Sequence, residues 1–417
     1  MLRFFLSPGF LIFMLAGLVF GFVAKRNRDS LSSFISKRKE GIASFLSSIL
    51  VIVVGLLIGL IILFVSHPEN AWQAFTTILT FGFTSMRNIG DVLLLASPII
   101  MTGLSVAFAF KTGLFNIGAS GQFTMGAFVA IYIGVEFTFM PAPLRIIVAV
   151  VAAMIAGALW GAIPGLLKAY RNVHEVISSI MTNYIGMFLV NFLAINSIFD
   201  QGRGTTTRLP ANSALPTFGM ENLFTDGTRI SHINIGIFLA IASAIIIYII
   251  LEKTTFGYEL KACGFNKDAA KYAGINEKRN IVLSMTISGA LAGLAGSFNY
   301  LVGTGLSMSV VDTLAPQGFT GISVAFLGLS HPLAIIFSGT FVSYLFLGGA
   351  RTQAFGFSIE IVEMVISMII YFCAFVSLVK IFLLNRFNRN SALATSDATL
   401  DDMPVDDDHV AIKDGES

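Results

Sequence analysis

The sequence predicts an all-α polytopic membrane protein with about 10–11 transmembrane helices, at least one of them broken or re-entrant. Three observations carry this. Hydrophobic residues make up 55% of the 417 and charged residues 12%, about half the charged share of a soluble domain. That is too little charge to coat a soluble surface, and mean hydropathy is +0.82. Apolar runs of membrane-crossing length recur along most of the chain. The loops between them alternate between basic and charge-poor.

A helix needs about 20 mostly apolar residues to cross the hydrocarbon core. Such runs cover 4–24, 44–65, 92–110, 114–134, 145–167, 175–196, 234–251, 281–301, 317–330, 332–347 and 359–384. The run at 114–134 is glycine-rich and polar at its start, and 317–330 is short for a straight crossing. The first run does not read as a signal peptide. Only Arg3 precedes it, whereas Lys25, Arg26 and Arg28 follow it; a signal peptide has the reverse asymmetry and then a cleavage site. It reads as an uncleaved helix with its N-terminus outside.

Lys and Arg mark the inside of a membrane protein. Inside segments on this reading hold nineteen, at 25–43, Lys111, 168–174, 252–280 and beyond 379. Outside loops hold five: Arg87, Arg203, Arg208, Arg229 and Arg351, with Arg3 and Arg145 at borders. The chain divides into an extra N-terminal helix and basic cytoplasmic loop (1–43), a main transmembrane domain (44–387) and an acidic tail (388–417). Residues 391–417 hold eight acidic residues and one lysine, so the remainder carries +9. With so little to bury, the tail is expected to be disordered. Cys263 and Cys373 lie far apart and form no disulfide framework or metal cluster.

The longest outside loop, 197–233, reads either as a solvated connector or as a docking surface for a soluble partner. The inside loop 252–280 is not loop-like in composition. Asn266 can cap a helix over Lys267–Ala273, and Gly274 can end it. Ala269, Ala270 and Ala273 give that helix small residues. They favour close approach by a protein surface over burial in a bilayer, which asks for a large apolar face.

Inside the membrane, Gly113–Phe128 places Asn116, Ser120, Gln122 and Thr124 among Gly113, Gly118, Gly121 and Gly126. This reads as a break beside a transport path, because irregular backbone survives at depth only when buried in protein or facing a watery cavity. Gly157, Gly161 and Gly165, and likewise Gly289, Gly293 and Gly296, read as helix-packing faces. Asn183 and Asn191 in one span and Asn299 in another can bind a neutral polar solute, although helix gluing is the commoner use of such amides. Residues 122–129 and 318–325 look faintly alike.

Catalytic chemistry is not evident. There is no Walker-type nucleotide loop and no nucleophile–histidine constellation, and the five histidines are scattered. No relay of buried acids supports a stand-alone, proton-coupled secondary transporter, although that reading stays open.

Two stretches carry a resemblance. Phe115-Asn-Ile-Gly-Ala-Ser-Gly-Gln-Phe-Thr-Met-Gly-Ala-Phe128 resembles the early transmembrane signature of bacterial ABC importer permeases of the branched-chain amino acid, ribose and nucleoside group. Tyr258–Asn276 resembles that group's coupling loop, and Pro316–Gly328 is a third similar stretch. Within the group, the chain is most similar to nucleoside permeases linked to a basic-membrane-protein-type lipoprotein, with ribose-type sugar permeases as the alternative.

The resemblance implies a permease subunit of a bacterial plasma (inner) membrane importer, multi-pass, with its N-terminus outside and its C-terminus cytoplasmic. It implies a second permease subunit, identical or different, an extracytoplasmic substrate-binding lipoprotein, and a separate ATP-binding subunit that holds ATP and Mg. It implies no cofactor or metal on this chain, no catalytic residue and no nucleic-acid partner. Gly264, Asn266, Asp268, Ala269, Ala270 and Gly274 would couple to the ATPase, with Asp268 standing where the wider importer motif has Glu. Asn116, Gln122, Asn183 and Asn299 are the candidate pathway residues.

Overall fold

The computed structural model describes residues 31–227, 229–373 and 375–385. The expected N-terminal span at 4–24 and the acidic tail lie outside the described residues. Each of the other ten expected spans is occupied by helix.

The helices are α1 Leu31–Ser66, α2 Pro68–Thr80, α3 Met86–Lys111, α4 Ala119–Glu136, α5 Ala142–Arg171, α6 Glu175–Ser197, α7 Gly236–Lys253, α8 Thr255–Phe265, α9 Lys267–Tyr272, α10 Glu277–Tyr300, α11 Pro316–Leu327, α12 Pro332–Arg351, α13 Ile359–Cys373 and α14 Val376–Asn385. Seven helices among the described residues are long and apolar enough to cross a membrane. The remaining three expected spans differ in kind. The first turns of α4 carry polar residues, α11 has 12 residues, and 359–384 is interrupted after Cys373.

Two elements depart from expectation. The loop expected over 25–43 is helical from Leu31, so α1 runs 36 residues, about 54 Å at 1.5 Å per residue. Its first turns hold Lys, Arg, Ser and Glu, none of which breaks a helix, so the helix continues beyond the apolar run. Residues 68–80, assigned no element from sequence, form α2. Pro68 opens it at a position where no amide hydrogen is needed. Its Ala71, Ala74 and Ile78 are buried, while Trp72 faces outward.

Two helices form the centre. Within their most apolar stretches, α3 is 83% buried and α10 67% buried. The glycine faces read from sequence are where α10 meets α5 and α4. A Cβ on Gly157 would lie 2.3 Å from the Gly289 carbonyl oxygen, and one on Gly126 would lie 2.4 Å from that of Gly293. Backbones this close gain dispersion contacts, the main attraction between helices in lipid.

The basic residues gather at one end of the bundle. Lys111 stands within electrostatic range of Glu252, Lys261 and Lys380, and α8 and α9 lie at this end. The opposite end carries α2 and residues 198–235. Residues 198–227 and 229–235 form a cap. Phe199–Asp200 and Thr205–Thr206 make a two-stranded hairpin. Thr206 N donates to the Met308 carbonyl at 2.9 Å, Leu215 N to Leu301 at 2.9 Å, and Ser213 Oγ to Gly134 at 2.7 Å.

Candidate functional site

α3 ends at Lys111, and the chain leaves helical geometry for Thr112–Gly118 before α4 begins. Gly113 makes the turn at φ +76°, a conformation that costs glycine no Cβ clash. The segment then climbs into the bundle. Its polar groups are satisfied locally, as irregular backbone at depth requires.

Three of the four candidate pathway residues converge here. Asn116 and Gln122 bond reciprocally, Asn116 Nδ2 to Gln122 Oε1 at 2.8 Å and Gln122 Nε2 to Asn116 Oδ1 at 3.1 Å. Asn116 Nδ2 also donates to Ser288 Oγ on α10 at 2.7 Å, and Ser288 Oγ donates to the Ser105 carbonyl on α3 at 2.7 Å. Asn183, on α6, spans the first turn of α4. Its Nδ2 donates to the Ile117 carbonyl at 3.0 Å, and its Oδ1 accepts from Gly121 N at 2.8 Å. Asn116, Gln122 and Asn183 are each at most 1% exposed. Asn299 lies apart, eleven residues beyond Ser288 on α10, about 16 Å along the helix. It is half-buried, and its amide makes no hydrogen bond among the described residues.

A second half-helix meets the first. A Cβ on Gly318 of α11 would lie 2.4 Å from Ser120 Cα, and Ser120 Oγ donates to the Ala315 carbonyl at 2.8 Å. Gly321 packs against Thr102, nine residues before Lys111 on α3, about 14 Å along the helix and so near mid-membrane. The two stretches that look faintly alike, 122–129 and 318–325, lie within α4 and the shorter α11, whose N-terminal ends meet. Both ends carry the positive pole of a helix dipole.

At the basic end, Asn266 ends α8 and caps α9, accepting from Ala269 N at 3.0 Å. Asp268 sits in the first turn of α9, where a negative charge suits the dipole. Ala269 is exposed, whereas Ala270 is 3% exposed and turned toward the rest of the chain. The expected small-residue face is thus split between two sides of the helix. Gly274 follows at φ +79° with open space around it. Gly264 has a different setting. A Cβ there would lie 2.8 Å from both Gly113 N and the Thr112 carbonyl carbon. The loop 252–280 therefore touches the break in the membrane, backbone against backbone.

Sequence reasoning missed the two residues that stand out most on this loop. Phe265 is 90% exposed and Tyr272 94% exposed, one just before the short helix and one at its end. Their aromatic character was visible, but their exposure follows from how α8 and α9 fold. Among the described residues, no group of three His, Cys, Asp or Glu is placed to hold a metal.

A profile of the "branched-chain amino acid transport system / permease component" family matches residues 88–374. The chain belongs to this family of membrane permeases. The match starts within α3 and ends just past α13, so it takes in the break, both half-helices and loop 252–280. The chain is 37% identical over 359 residues to the nucleoside ABC transporter permease protein NupB of Lactococcus lactis subsp. cremoris, covering 84% of this chain and 95% of that one. It is 35% identical over 334 residues to the guanosine ABC transporter permease protein NupP of Bacillus subtilis, covering 80% and 94%. A glucose ABC transporter permease protein, TsgB13 of Haloferax volcanii, is 29% identical over 336 residues, covering 78% and 87%. No solved structure matches.

Proposed function

We propose that this permease is the membrane-spanning subunit of an ATP-driven importer and that its cargo is a nucleoside. The cargo assignment rests on the relatives named for nucleoside and guanosine transport, which align with this chain over nearly their whole length. ATP and Mg are bound and ATP is hydrolysed on a separate ATP-binding subunit, at the basic, cytoplasmic end. A second permease subunit completes the path. An extracytoplasmic substrate-binding lipoprotein docks on the cap at 198–235, whose Phe218 and Leu223 are 76% and 69% exposed.

The contact of Gly264 with Thr112–Gly113 carries the mechanism. α9 seats in the ATPase, with Phe265 and Tyr272 as its anchors; buried aromatics supply much of the binding energy in protein interfaces. Closure of the ATPase displaces α8 and α9. No compressible side chain separates Gly264 from the break, so the displacement passes directly to the start of α4. Asn183 ties that start to α6, and the Asn116–Gln122–Ser288 bonds tie it to α10, so the three helices shift together. In this reading Asn116, Gln122 and Asn183 shape the path wall, and Asn299 offers a free amide to a neutral polar cargo.

The test is uptake of labelled guanosine, uridine and ribose in cells lacking the gene, then restored with the native chain or with Gly274→Trp. A side chain at φ +79° is strained, so the variant distorts the end of α9 while leaving the spans intact. Nucleoside uptake restored by the native chain and not by the variant supports cargo and coupling together. Uptake of ribose alone selects the sugar reading, which the glucose permease relative favours. Uptake that persists when ATP is depleted and an ion gradient is held would turn the reading to a stand-alone secondary transporter.

A further inference from the structure

A cavity of about 330 Å³ opens at the basic end, beside the break, whose Phe115 packs on the cavity wall at Phe326; no residue of α9 lines it. Its walls are apolar: Phe110 from the end of α3, Phe326 and Leu329 from the end of α11, and Ile381 and Leu384 from α14. Three polar side chains reach it as well, Lys380, Ser330 and Ser377. No ion pair engages Lys380 among the described residues. The Ser330 and Ser377 hydroxyls make no hydrogen bond there either. Lys111, next to Phe110 in sequence, stands within electrostatic range of Lys380. A tight turn presents Ser330: Leu329 and Ser330 both take left-handed backbone, at φ 51° and 53°, and Ser330 N donates to the Ala325 carbonyl at 2.7 Å.

We propose that this cavity binds an anionic phospholipid, with the phosphate held by Lys380 and the two serine hydroxyls and the acyl chains lying along Phe110, Phe326, Ile381 and Leu384. Three features select this occupant. The cationic and hydroxyl groups complement a phosphate. The apolar walls complement hydrocarbon, which neither inorganic phosphate nor the acidic tail of the chain provides. The site lies where α3, α11 and α14 all reach the membrane boundary, the depth of a headgroup, and basic pockets between helices at that level bind acidic headgroups. Bound there, the lipid would join α14 to the turn that ends α11, the half-helix whose other end touches the break.

Native mass spectrometry of the purified full-length chain, titrated with phosphatidylglycerol or phosphatidylcholine, tests this. The native chain should retain one phosphatidylglycerol in preference to phosphatidylcholine. Lys380→Gln should weaken that retention about five-fold, as expected for loss of about one lysine's attraction to an acidic lipid. Arg171→Gln, an exposed cation at the same end, should leave it unchanged. Equal retention of the two lipids would overturn the proposal. So would unchanged phosphatidylglycerol retention in Lys380→Gln, or its release by millimolar inorganic phosphate. The preference of the native chain stands as a test even if the variant folds poorly.

Discussion

Asn116 shows how a residue can be noticed for the right chemistry and still leave its role open. The sequence displays an amide among glycines inside a membrane span. It does not display that Gln122, six positions on, bonds back to it, or that Ser288 arrives from a helix 172 residues away. Substitution by Ala would leave the buried Gln122 amide without its partner, while Ser288 keeps its bonds to Ser105. Removing one partner of a buried bond costs about 1–3 kcal/mol. Asn116→Ala should therefore lower the heat stability of the purified chain in detergent. Asn116→Leu combined with Gln122→Met should recover much of the loss, because neither amide is then stranded. If Asn116→Ala instead keeps native stability and alters the preference between guanosine and uridine, Asn116 contacts cargo. Arg145 is the opposite case. It stood at the edge of a span with no role to read, yet it is 1% exposed, and its Nη2 donates to Asn212 Oδ1 at 2.8 Å and to the Asn212 carbonyl at 3.2 Å. Nothing local could reveal this, because Asn212 comes from a cap that folds back across 67 residues. Arg145→Met should strand the Asn212 groups and loosen the cap, seen as faster proteolysis within 198–235 with the spans left intact.

At the scale of elements, signals that are local in the chain were legible. Asn266 before a short alanine-rich stretch and Gly274 after it marked α9 within a residue, because a cap and a left-handed stop act on their immediate neighbours. The break at 112–118 was legible for the same reason. Hydropathy located α5, α6, α7 and α10 but left α2 unseen, since Pro68–Thr80 is half polar and buries only a narrow stripe. The meeting of α8 with the break is a tertiary fact that no window of sequence contains, and it makes the sharpest prediction. Gly264→Val should drive its side chain into the Thr112–Gly113 backbone, where a Cβ has no room. The variant should insert in the membrane and still co-purify with its ATPase, while nucleoside uptake falls at least ten-fold. Phe265→Ala with Tyr272→Ala should do the reverse. It leaves the break untouched and loses the ATPase on co-purification. If both variants lose the ATPase equally, Gly264 acts in docking, and transmission through Gly113 is wrong.

For the whole molecule, the deciding relation is the sidedness of charge, and it links the fold to every functional step. The excess of basic residues in alternate loops between the apolar runs assigns an inside. The fold gathers Lys111, Lys261 and Lys380 at one end with α8 and α9. The cap at 198–235 lies at the other end, tied to Gly134 near the close of α4 and to Met308. On the proposed mechanism an ATPase meets the first surface and a delivered cargo the second, so orientation is a condition of the mechanism rather than a detail. Single cysteines can read it. In a chain with Cys263 and Cys373 replaced, Phe218→Cys should react with a membrane-impermeant maleimide in intact cells. Tyr272→Cys should react only after permeabilisation, in a strain lacking the ATPase so that docking does not shield it. Both positions are highly exposed, so a lack of reaction in intact cells reports the membrane and not burial. The opposite pattern would place Phe265, Tyr272 and the Gly264–Gly113 contact on the outer side, out of reach of any ATP-binding subunit. The fold and family would stand, but the coupling mechanism would fall.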